Sequence, residues 1–103
     1  MTISRAVAIF LCSFAFSSCV LPPAPVEVYA LARAAIDAAK AVDAARYSAG
    51  YFHKAEQTYR SAQQEFDERE YESAKEDFLR AKDYAERAEN SARLIRFKNG
   101  EVL

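Results

Sequence analysis

YESAKEDFLRAKDYAERAENSARLI (residues 71–95) is the stretch on which the fold turns. Apolar side chains recur at Tyr71, Ala74, Phe78, Ala81, Ala85, Ala88, Ala92 and Ile95, in alternating steps of three and four. Only a helix of about 3.6 residues per turn collects such positions on one side. Glu70, Glu72 and Glu76 load the amino end, while Arg93, Arg96 and Lys98 load the carboxyl end. That charge order suits the helix dipole. Asn99-Gly100 then reads as a helix stop. The spacing predicts a helix about 40 Å long.

Upstream, residues 67–70 (Asp-Glu-Arg-Glu) hold no apolar side chain, which marks a turn despite the lack of Gly or Pro. Before it, Phe52, Ala55, Tyr59, Ala62 and Phe66 repeat the three-four rhythm, so a second helix is expected from Tyr51 to Asp67. A first helix is expected from Glu27 to Arg46, with Val28, Leu31, Ala35, Ala38, Val42 and Ala45 as its apolar stripe. Tyr47-Ser48-Ala49-Gly50 interrupts that pattern, with Ser48 as the expected N-cap of the second helix. Two glycines, and prolines only at 22, 23 and 25, leave little turn chemistry for strands. The expected fold is all-α: a three-helix antiparallel bundle, a long hairpin plus an N-terminal helix, over residues 27–100, with a tail at 101–103.

Alanine lets helix axes approach to the short end of the roughly 8–10 Å range, but it buries little area. The aromatics Phe52, Tyr59, Phe66, Tyr71 and Phe78 must therefore supply most of the hydrophobic stabilisation. The second-to-third hairpin is expected to be the stable part. Tyr29, Tyr51 and Tyr84 fall off the main seams and are expected to extend an interaction surface.

The chain begins with one positive charge, Arg5, an apolar run from Ala6 to Phe16, and the small residues Ser17 and Ser18 before Cys19. These are the parts of a secretory leader over residues 1–18. The run would span only about 16 Å as a helix, too short for a bilayer core. Phe16-Ser17-Ser18-Cys19 resembles the bacterial lipobox, although Phe16 stands where that pattern prefers Leu. The resemblance implies cleavage before Cys19 and lipidation of Cys19. Without it, the same stretch is an ordinary signal cut beside an incidental thiol. Cys12 would leave with the leader, and a lipidated Cys19 leaves no thiol for a disulfide or a metal. Residues 19–26, with Pro22, Pro23 and Pro25, read as an extended tether reaching about 20 Å. In enterobacterial lipoproteins an Asp after the Cys marks inner-membrane retention. Val20 stands there in this chain, so the resemblance implies the outer membrane, facing the periplasm.

The chain has 14 basic and 15 acidic side chains, and loss of Arg5 with the leader takes the balance to about −2. Nucleic-acid binding needs a basic face, and none is apparent. His53 is the single histidine; without a mature Cys it anchors no metal site of usual composition. The carboxylates from Glu65 to Asp77 match no EF-hand loop, so no metal and no cofactor are expected. A solvated turn is the plain reading of that cluster. The sharper one is an acidic docking patch, with Glu68, Glu70, Glu72 and Tyr84 as candidate partner-binding residues. No nucleophile elbow, Ser-His-Asp set or phosphate loop occurs, so no catalytic residue is assigned and an enzyme is not expected.

Residues 62–81 resemble one tetratricopeptide-type hairpin, with Ala62, Tyr71, Ala74, Phe78 and Ala81 at matching spacings and Arg69 near the place of its turn glycine. Across most of the mature chain, Cys19, Pro22-Pro23-Ala24-Pro25, Ala34-Ala35-Ile36, Tyr47 and Tyr71-Glu72-Ser73-Ala74-Lys75 resemble small proteobacterial envelope lipoproteins of an uncharacterised, DUF4398-type family. The expected role is that of a lipid-anchored structural or adaptor protein that binds other envelope proteins through helical surfaces. A self-assembling coiled-coil scaffold is the alternative, since the three-four pattern runs for about three and a half heptads. The oligomeric state stays open.

Overall fold

The computed structural model describes residues 22–101, so the expected leader, Cys19 and the first part of the tether lie outside the described residues. Among the described residues four helices succeed one another: α1 (Val26–Ala41), α2 (Ala44–Tyr47), α3 (Ala49–Asp67) and α4 (Tyr71–Lys98). No strand occurs among the described residues. The chain is an all-helical bundle in which α4 is the spine: α3 folds back along it and α1 packs mainly against it.

The hairpin seam keeps the three-four pattern. Phe52, Ala55 and Ala62 of α3 are buried, with Tyr59 and Phe66 half-buried beside them. On α4, Ala74, Phe78, Ala81, Ala85, Ala88 and Ala92 are all buried. The turn between them is a Schellman arrangement. Arg69 takes a left-handed φ of 62°. Its N–H donates to the Phe66 carbonyl at 3.1 Å, and the Glu70 N–H donates to the Glu65 carbonyl at 2.8 Å. The C-terminus of α4 repeats the motif with a glycine: Gly100 has φ 76°. Gly100 N–H bonds Phe97 O at 3.0 Å, and Glu101 N–H bonds Arg96 O at 2.9 Å.

The first helix differs from its expected form in three ways. It ends at Ala41 rather than Arg46, because Asp43 adopts a left-handed φ of 60° and the chain restarts as the short α2. Its buried face is Ala32, Ile36, Ala39 and Val42, whereas Leu31 and Ala45 of the expected stripe are exposed. Tyr29 belongs to that same face and packs inward, against Tyr59, Phe66 and Phe78. Residues 28–42 contain apolar side chains on nearly every azimuth, so several stripes fit the spacing equally well. The ring of Tyr29, which has the most area to bury, selects among them.

The junction to α3 differs as well. Ser48 occupies the N-cap position and its carbonyl accepts from Phe52 N–H at 3.0 Å, but its hydroxyl makes no capping bond. Gly50 lies inside the first turn of α3, so it is not the chain-breaker. Two hydrophobic clusters result. One centres on Phe78 with Ala32, Ala62 and Ala74, near the 68–70 turn. The other joins Ile36, Ala39, Val42, Ala44, Phe52, Ala55, Ala85, Ala88 and Ala92 toward the far end of α4.

Candidate functional site

Cys19 lies outside the described residues. The other candidate residues from the sequence do not converge. Glu68, Glu70 and Glu72 are exposed at the turn, where Glu68 accepts a bond from Gln64 at 3.2 Å. Tyr84 stands about 20 Å further along α4. It is half-buried against the alanine-rich cluster, with the Lys54 ammonium 5.8 Å from its ring centroid. His53 is exposed on α3. Tyr51 is exposed too, but Tyr29 is structural.

A groove between α1 and α3 brings more chemistry together. It encloses about 380 Å³ and is lined by Tyr29, Arg33, Ile36, Asp37, Lys40, Tyr59 and Gln63. It exists because α1 leans on α4 and meets α3 at few points. One of those is a hydrogen bond from Gln63 Nε2 to the Tyr29 hydroxyl at 2.9 Å. Tyr59 stands edge-on to Tyr29 with ring centroids 5.8 Å apart. Burial, with Tyr29 as a second cause, pushes the Tyr59 phenol above its ordinary range, so it stays a neutral donor. Arg33, Asp37 and Lys40 succeed each other by helical steps of four and three along the α1 rim. Neither Arg33 nor Lys40 forms an ion pair among the described residues. The groove can therefore offer two cations about 10 Å apart with the Asp37 carboxylate between them, two phenols and an amide to a bound segment.

Sequence reasoning misses this groove. Its residues lie on a helix whose spacing favours a different inward face, and Tyr29, the signal for the correct face, falls off that stripe.

At the far end, Arg96 acts as a clamp. The left-handed Asp43 leaves the Val42 carbonyl free of its helix, and Arg96 Nη1 donates to it at 3.1 Å. Arg96 Nε donates to Glu101 Oε2 at 2.7 Å, and the Tyr47 hydroxyl donates to Glu101 Oε1 at 2.8 Å. Arg96, then Tyr47, hold the Glu101 carboxyl below its usual range. The bond to Glu101 chiefly raises the Tyr47 phenol. Outside this clamp Leu94 and Phe97 remain exposed, Phe97 at 77%.

No described helix is long and apolar enough to cross a membrane. Comparison with curated proteins and with solved structures finds no match. The family described as Domain of unknown function (DUF4398) matches residues 27–98, which cover α1 through α4. With most of its length covered by that match, the chain belongs to the DUF4398 family.

Proposed function

We propose that this protein is a lipid-anchored adaptor of the bacterial envelope, held by Cys19 in the outer membrane and binding envelope proteins on the periplasmic side. Its working unit is a three-helix antiparallel bundle, with α1 and α4 running one way and α3 the other, and α2 as a corner. The Schellman turn at Arg69 supports the tetratricopeptide-like reading of the α3–α4 hairpin.

The observation that carries the adaptor reading is the α1–α3 groove, whose rim cations Arg33 and Lys40 form no ion pair among the described residues. A segment bearing two carboxylates about 10 Å apart suits those cations, and its backbone suits Tyr29, Tyr59 and Gln63. The self-assembling coiled coil is the weaker reading. The α4 stripe it would use is buried under α1 and α3.

A photocrosslinking residue at Asp37, used in intact envelopes beside a control at Asn90 on the outer side of α4, tests the groove. Discrete adducts from position 37 only, lost in an Arg33→Glu/Lys40→Glu variant of normal melting temperature, support it. Equal adducts at both positions, or adducts indifferent to the reversal, defeat it. Separately, Cys19→Ser should abolish labelling by an alkyne fatty acid. Labelling that persists in that variant removes the anchor.

A further inference from the structure

The α3–α4 seam is apolar along nearly its whole length, but close to the turn it encloses a carboxyl group. Glu65 projects from α3 toward α4, and its Oε2 is buried with no hydrogen-bond donor. Within hydrogen-bonding reach stands Asp77 of α4, another acceptor. Asp77 itself is mostly covered, its side chain 19% exposed, and its Oδ1 accepts from Arg80 Nη1 at 3.1 Å. Two carboxylates cannot bond each other unless one carries a proton. One proton between the two groups satisfies the contact, with Asp77 Oδ1 already engaged by Arg80.

The remaining surroundings point the same way. From the turn, Glu68 and Glu70 add negative charge near Glu65. No described Lys or Arg forms an ion pair with Glu65. Helix α1 meets α3 through the Gln63–Tyr29 bond, and among the described residues its Arg33 and Lys40 form no ion pair with Glu65. Desolvation, then the contact with Asp77, pushes the Glu65 carboxyl up to about 7.

We propose that Glu65 and Asp77 share one proton across the hairpin, and that its loss loosens the 65–77 tip, making this turn a proton-operated catch. With the proton in place, Glu65 donates to Asp77 and the two helices are joined at their ends. Without it, two carboxylates are pressed together in a partly buried site. The turn then relieves the repulsion by opening, which exposes the neighbouring Phe66 and Tyr71 rings. The folded hairpin binds more protons than the unfolded chain between about pH 4.5 and 7, so its stability falls as pH rises through that window. Ordinary ion-paired carboxylates produce the opposite slope.

Carboxyl-carbon NMR titration of the full chain, with melting temperatures at pH 5 and pH 8, provides the test. The Glu65 signal should titrate with a midpoint near 7, and the melting temperature should drop by several degrees from pH 5 to pH 8. Glu65→Gln, which donates at every pH, should flatten that drop and melt above the wild type at pH 8. Amide exchange at residues 66–74 should accelerate from pH 6 to 8 in the wild type beyond the intrinsic base-catalysed rise, but not in Glu65→Gln. A Glu65 midpoint near 4.5, or a Gln variant that keeps the full pH slope, would overturn the proposal.

Discussion

Near the turn, Phe78 is fully enclosed, and its ring lies 4.3 Å from Tyr29, 5.8 Å from Tyr59 and 6.4 Å from Phe66 between centroids. Toward the other end of α4 the same seam is built from Ala85, Ala88 and Ala92 against Ile36, Ala39 and Val42, with Phe52 the one ring among its buried residues. The aromatic end gains its stability from area, and edge-to-face pairs add to it. The alanine end buries little per residue and relies on close approach of the helices, then fastens the chain with the Arg96 clamp. The two ends should therefore fail differently: the first by losing volume, the second by gaining it.

Phe78→Ala is the largest expected effect. It empties the centre of the aromatic cluster and should cost about 3–5 kcal/mol, much of a small domain's stability. Circular-dichroism melts with a denaturant series measure it. A loss below about 1.5 kcal/mol would mean that the rings close over the gap and that the two ends differ less than their packing implies.

Ala88→Leu asks the complementary question. Ala88 is wholly buried in the alanine-rich cluster, so added methylenes must push the axes apart, at about 1–3 kcal/mol. Arg87→Leu, one position away on an exposed site, should stay within about 0.5 kcal/mol. Comparable losses from both would place the defect in helix propensity rather than in packing.

Arg96→Ala tests the fastening. It removes the donor to the Val42 carbonyl, worth about 1 kcal/mol, and releases Glu101 toward its ordinary acidity. Hydrogen exchange should show the α1–α2 corner opening first while the turn at Arg69 is unaffected. The Glu101 contribution has its own pH signature. Its carboxyl is depressed when folded, so the stabilisation is present above the unfolded value of 4.5 and fades as pH falls through the folded one. This is the reverse of the slope expected at Glu65.

How legible the fold is in the sequence depends on how crowded each helix is. On α3 and α4, polar residues separate most of the apolar ones and the three-four series singles out one face, with Tyr51, Leu79 and Leu94 left exposed off it. On α1, Val28, Tyr29, Leu31, Ala32, Ala35, Ile36, Ala38 and Ala39 support several faces, so periodicity alone selects one that leaves Leu31 in solvent. That choice also hides the α1–α3 groove. The break at Asp43 carries neither Gly nor Pro, and the carboxyl pair at Glu65 and Asp77 depends on which side of each helix meets the other. The acidic run is visible in sequence, but the difference between exposed Glu68 and partly buried Glu65 is not.

The smallest predictions concern backbone conformation, and they reverse what the glycine positions suggest. Helices α3 and α4 end in the same motif, one with Arg69 and the other with Gly100 at the left-handed position. A side chain in that conformation costs about 1–2 kcal/mol, against about 0.4–1 kcal/mol of extra unfolded-state freedom for glycine. Arg69→Gly should thus stabilise the hairpin by roughly 0.5–1 kcal/mol. Gly50 is the opposite case: it lies in the first turn of α3, and a Cβ added there meets nothing within 4 Å. Gly50→Ala should stabilise by about 0.4–1 kcal/mol. The two sites stand at opposite ends of α3, some 27 Å apart, so their gains should add. If Gly50→Ala destabilises instead, the α2–α3 corner must adopt a second conformation that needs glycine, and the far end would be the mobile one. If both gains appear and sum, each end is fixed by its packing, and the missing glycine at residue 69 is a strain the aromatic end tolerates.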